Sequence, residues 1–169
     1  SVYAGRSHVW VWQGAHITVR DSYFYESRSH ASQSYGIEPY PASDMLIENN
    51  IFQAVTAPIT VNAACSGCVV SYNFSVDNVY TASTNWFSQQ AFMHAGGIDN
   101  LLLEGNVGQG LYSDMFHGSH HFVTAFRNIW NGYEVAGGTA GTGNAYPVTL
   151  RPLSRYYNIM GNVLGTQGF

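Results

Sequence analysis

Short apolar segments separated by single polar positions and turn residues run the length of the chain, and five of them close on asparagine. These phrases are Leu46-Ile-Glu-Asn-Asn50-Ile-Phe52, Val70-Ser-Tyr-Asn73-Phe-Ser75, Leu103-Glu-Gly-Asn106-Val107, Phe126-Arg-Asn128-Ile-Trp130 and Met160-Gly-Asn162-Val-Leu164. A degenerate copy, Val19-Arg-Asp-Ser22-Tyr-Phe24, precedes them, and successive copies lie 28, 23, 33, 22 and 34 residues apart. Recurrence at this period is the signature of stacked repeat architectures. A second apolar segment stands 9 to 12 residues before each copy: Val9-Trp-Val-Trp-Gln13, Tyr35-Gly-Ile-Glu38, Ile59-Thr-Val-Asn62, Phe92-Met-His94, Met115-Phe-His117 and Val148-Thr-Leu-Arg151.

Successive side chains on a strand point to opposite faces, so aligned segments sort into rows. Trp12, Ile37, Val61, Met93, Phe116 and Leu150 form an apolar row predicted to face the core. The adjoining Gln13, Glu38, Asn62, His94, His117 and Arg151 are all polar and are predicted to face solvent. Two further inward rows are expected: Val19, Ile47, Val70, Leu103, Ala125 and Ile159, then Tyr23, Ile51, Phe74, Val107, Ile129 and Val163. The segments are too short, too β-branched and too often broken by Gly, Pro and Asn to be helices. Three strand positions per repeat describe an all-β parallel β-helix, a solenoid of about six coils. Repeats of 22 residues or more favour the right-handed kind. The asparagines are expected to form a ladder, since Asn tolerates the left-handed backbone of a tight turn and its amide satisfies turn groups. Asn73-Phe-Ser75 is a glycosylation sequon, but its place in the ladder predicts burial.

The resemblance carried by these rows, over residues 9 to 164, is to the right-handed parallel β-helix superfamily of pectate lyases, polygalacturonases and tailspike enzymes. The chain also looks like bacterial β-helix-repeat proteins, through Tyr-Gly-Ile-Glu-Pro (35–39), Ile-Glu-Asn-Asn-Ile-Phe-Gln (47–53) and His-Gly-Ser-His-His-Phe (117–122). The length of 169 residues suits a single domain spanning 1–169, and the resemblance implies that it engages polysaccharide outside the cell or at its surface. It does not supply catalytic residues: the acidic calcium cluster of pectate lyases and the paired-aspartate and Gly-His-Gly signatures of polygalacturonases are missing.

Composition narrows the partners. A net charge of −4 disfavours nucleic acid, whose phosphates need clustered cations. All six cations are arginine, which removes lysine chemistry. No apolar run approaches a membrane span of about 18 residues or more. Neither end carries a polar cap, so the chain is expected to be a segment of a longer solenoid or to self-associate end to end or side by side. Cys65 and Cys68 read equally as a short-loop disulfide or as two buried thiols.

Candidate chemistry lies on the polar row. With strands about 4.8 Å apart, Gln13 to Arg151 would span roughly 24 Å, enough for several sugar rings. A glycoside hydrolase needs two carboxyl groups, and the row offers Glu38 with Asp114 near it but expected on the inward side. β-Elimination on a uronic acid needs a base and a cation for the substrate carboxylate; His94 or His117 and Arg151 supply them. Gln13 and Asn62, with the loop aromatics Tyr80, Trp86, Tyr133 and Tyr146, are the candidate substrate contacts. His117, His120 and His121 are read as turn-capping side chains, so neither a metal nor a cofactor is expected. A polysaccharide lyase is one reading; a non-catalytic structural or adhesive module of a cell surface, fibre or tailspike stalk is the other.

Overall fold

The computed structural model describes residues 7–27, 29–31, 33–78, 80, 89–133 and 146–168. Among these there is no helix, hence none able to cross a membrane, and the strands pair in parallel within three sheets. The first contains Ser7–Ala15, Tyr35–Ser43, Ala57–Val61, Ala91–Met93, Leu111–Ser113 and Val148–Leu150, extended by the short strands Cys65–Ser66 and Ile98–Asp99. The second stacks Thr18–Arg20, Leu46–Glu48, Val69–Ser71, Leu101–Glu104, Val123–Phe126 and Asn158–Met160. The third stacks Tyr23–Tyr25, Ile51–Gln53, Phe74–Val76, Val107–Gly108, Ile129–Trp130 and Val163–Leu164. Chain order is sheet order in the second and third sheets, the arrangement of a β-solenoid.

The asparagine ladder is present. The Nδ2 of Asn50 donates to Asn73 Oδ1, that of Asn73 to Asn106 Oδ1, that of Asn106 to Asn128 Oδ1 and that of Asn128 to Asn162 Oδ1, all within 2.9–3.0 Å. Each of these amides also donates to a second-sheet carbonyl: Val19, Ile47, Val70 and Leu103 respectively. Each Oδ1 additionally accepts the backbone N–H of the ladder residue before it, with Ser22 opening the series. Asn73 is 1% exposed, as its ladder position predicts. The left-handed conformation falls one residue earlier than expected, on Asp21, Asn49, Tyr72, Gly105, Arg127 and Gly161. That residue turns the corner, and the asparagine behind it points inward.

This shift reverses one predicted row. Val19, Ile47, Val70, Leu103, Ala125 and Ile159 pair in register and face the core as expected. Tyr23, Ile51, Phe74, Val107, Ile129 and Val163 are also in register, but they face outward; Ile51 is 47% exposed and Val163 61%. Because the asparagine points in, strand alternation sends the next residue out and the one after it in. Phe24, Phe52 and Trp130 therefore occupy the core, with Phe24 and Phe52 stacked at 4.9 Å.

In the first sheet, Ile37, Val61 and Met93 are buried as expected, whereas Trp12, Phe116 and Leu150 are exposed. Val9, not Trp12, pairs with Ile37, and this three-residue slip is odd, so it exchanges the two faces. Phe116 follows the end of its strand, and Ser113 holds the core position opposite Met93. Leu150 keeps the predicted register beside Ser113, on the last strand of the sheet. Cys65 and Cys68 are disulfide-bonded across the turn at Gly67, whose φ of 67° suits glycine.

Candidate functional site

Backbone hydrogen bonds fix a level row on the outer face of the first sheet. Trp12 pairs with Tyr40; the N–H groups of Asn62, His94, Asp114 and Arg151 donate to the carbonyls of Pro39, Val61, Met93 and Ser113. Tyr40, Asn62, His94, Asp114 and Arg151 thus stand side by side on successive strands. Two residues earlier, on the same face, lie Glu38, Thr60, Phe92 and Tyr112. All four are buried although they point away from the core, so this face is not an open surface.

Asp114 was expected to point inward. Its strand ends at Ser113, which takes the inward position, and Asp114 therefore turns outward beside His94. One carboxylate oxygen, Oδ2, accepts from His94 Nδ1 at 2.7 Å and from His117 Nδ1 at 3.1 Å. His117 reaches it from the following turn rather than from the strand row, and the two imidazoles lie 4.2 Å apart between centroids. Burial pushes the Asp114 carboxyl up, but hydrogen bonds from both histidines, with their charge, outweigh it and hold the group below its ordinary value of 3.8. An ionised carboxylate only accepts, so both Nδ1 atoms donate, and the neutral form of either ring then has its lone pair on Nε2.

These three side chains line a pocket of about 340 Å³ whose remaining walls are Phe92, Tyr112 and Phe116. The Arg151 guanidinium lies 5.7 Å from the centre of the Tyr112 ring, bringing a cation beside one wall. Phe92 and Tyr112 were missed by the sequence reading, although they stand two residues before His94 and Asp114 and so share their face. The other expected contacts are not gathered here. Glu38 is fully buried, bonded to Ser7 Oγ and to Asn62 Nδ2, and does not line the pocket. Gln13 lies at a left-handed position outside the row. Tyr80 and Tyr133 are half-buried and Tyr146 is exposed, none of them lining this pocket; Trp86 lies outside the described residues. Two histidines and one carboxylate whose donor atoms lie within 4.8 Å of one another also form a possible metal-ligand set.

Behind Asp114, on the core side, Ser113 Oγ bonds to His120 Nδ1 at 2.7 Å, Ser154 Oγ at 2.9 Å and the Tyr157 hydroxyl at 3.1 Å. His120 is fully buried, so it is a core side chain and not the turn cap anticipated. Burial, aided by His94 and His121, lowers its pKa below 6.5 against the opposing pull of Asp114 and a hydrogen bond with the Ala95 backbone. A histidine depressed in the folded state stabilises fully above 6.5 and progressively less as pH falls toward the folded value. Acidification from pH 7.5 to 5 is therefore expected to lower unfolding free energy by up to about 1.4 kcal/mol per pH unit from this group. The difference in slope between wild type and His120→Asn, measured by urea unfolding, isolates that contribution; equal slopes would refute it.

The chain matches no protein-family model, no curated protein sequence and no solved structure.

Proposed function

We propose that the chain is a right-handed parallel β-helix of about six coils, of the pectate-lyase-like kind, that engages an acidic polysaccharide outside the cell and cleaves it by β-elimination. The observation that carries this reading is the single Asp114 oxygen shared by His94 and His117 in an aromatic-walled pocket. Nε2 of one imidazole takes the proton from the uronate carbon next to the carboxylate. The electron pair forms a carbon–carbon double bond, the bond to the leaving sugar oxygen breaks, and that oxygen is reprotonated from the conjugate acid or water. Asp114 offsets the charge on the imidazolium as it forms, and Arg151 pairs with the substrate carboxylate. The aromatic walls suit the apolar faces of sugar rings. The Cys65–Cys68 disulfide supports an oxidising compartment.

A panel of acidic polysaccharides followed by ultraviolet absorbance of unsaturated products tests the proposal. One substrate should react, and the double variant His94→Ala/His117→Ala should lose about 10²–10⁴ in rate, the usual worth of a positioned base. No reaction with any substrate, or full activity in the double variant, rejects the enzyme reading. The second reading, a non-catalytic structural or adhesive module, is favoured by the exposed apolar line Tyr23, Ile51, Phe74, Ile129 and Val163 along the third sheet, a surface suited to side-by-side association. Binding without turnover across the panel would select it.

A further inference from the structure

We propose that His94, Asp114 and His117 form a binding site for a divalent transition-metal ion. Donors about 2.1 Å from one ion lie roughly 3.0 Å apart in octahedral and 3.4 Å in tetrahedral geometry. His94 Nδ1 and His117 Nδ1 lie 2.7 and 3.1 Å from Asp114 Oδ2, near those edges, so an ion that replaced the two Nδ1 protons would find three donors after modest rotation of the imidazoles. A second observation points the same way. Asp114 is 2% exposed, yet its other oxygen, Oδ1, is buried with no hydrogen-bond partner among the described residues. An uncompensated buried carboxylate oxygen is costly unless a cation is supplied. The pocket leaves coordination positions open on the side of Phe92, Tyr112 and Phe116.

Two imidazoles and one carboxylate favour borderline ions such as zinc, nickel or copper over calcium or magnesium, which prefer oxygen-only shells. The inference uses the same side chains as the lyase reading but does not depend on any glycan. The two make a joint prediction: an ion held through both Nδ1 atoms leaves the ring proton on Nε2, which then has no lone pair to act as base, so it should inhibit elimination.

The test is calorimetric titration of the metal-stripped full chain with zinc, and with calcium as control, alongside the visible spectrum of the cobalt-loaded protein. Zinc should bind one to one and calcium should not. His117→Ala, at a half-exposed side chain, and Asp114→Asn should each weaken zinc at least roughly tenfold. Both should also lose the cobalt ligand-field bands, whereas His16→Ala, at a distant exposed turn, should change neither. Absence of zinc binding, or binding that His117→Ala and Asp114→Asn leave unchanged, overturns the site. A polysaccharide panel without turnover would remove the lyase reading and leave this one standing; zinc binding that left an active enzyme uninhibited would overturn ligation through both imidazoles.

Discussion

Replacing Asn106 by alanine is expected to destabilise the fold by roughly 4 kcal/mol, at the upper end of single-residue effects. Its Nδ2 donates to Val70 O at 2.9 Å and to Asn128 Oδ1 at 3.0 Å, while its Oδ1 accepts both the N–H and the Nδ2 of Asn73. Alanine would leave the Asn73 N–H and one Asn73 Nδ2 hydrogen without an acceptor in a region from which water is excluded, since Asn73 and Asn106 are 1% and 2% exposed. Each buried polar group left unpaired costs about 1–3 kcal/mol. Asn106→Asp should be at least as damaging, because two donors become acceptors facing Val70 O and Asn128 Oδ1. Asn158→Ala provides the contrast: this residue is exposed, and its bond to Thr124 Oγ1 is long at 3.4 Å. Its loss should fall within about 0.5 kcal/mol of wild type. Urea midpoints measure all three, and an Asn106→Ala effect below about 1 kcal/mol would show that the ladder does not hold the corner together.

The second large effect concerns turnover. In the proposed lyase, Asp114→Asn is expected to lower kcat for elimination about 10²–10³-fold, with KM changed little. A neutral amide can still accept from one ring, but it withdraws the charge that opposes the imidazolium as the proton arrives. Because Asp114 acts through His94 and His117, the pH dependence of kcat should also move, which a merely structural role would not cause. Loss of Asp114 has a stability consequence with a defined sign. Its folded pKa lies below 3.8, so its contribution is present above that value and lost as pH falls through the folded pKa. Asp114→Asn should therefore flatten the acid limb of the unfolding curve. An unchanged kcat would remove Asp114 from the chemistry.

The architecture was legible because one device repeats. Ladder asparagines recur with apolar neighbours, and each pairs as the spacing implies, so the second-sheet row from Val19 to Ile159 was read correctly. The third row failed for a physical reason: the corner residue is Tyr72 or Gly105, not the asparagine, and a turn displaced by one residue exchanges inside for outside. Register in the first sheet was harder to read. Segments there enter from loops of different lengths, so Trp12 and Phe116 were aligned by the turn residues after them rather than by their strand partners. His94, Asp114, His117 and Arg151 were all named, but Asp114 was placed on the wrong face. Its role depends on a strand ending at Ser113, which no local residue pattern announces. Phe92 and Tyr112 needed only the two-residue period of a strand to be found.

In the proposed mechanism one ionised carboxylate holds two imidazoles with their Nε2 atoms bare. Two-bond ¹⁵N–¹H correlation spectra of histidine-labelled protein at pH 8, assigned with His94→Ala and His117→Ala, read this directly. Both rings should carry the proton on Nδ1 and leave Nε2 unprotonated. Protonated Nε2 on either ring would contradict the assignment and remove the proposed base.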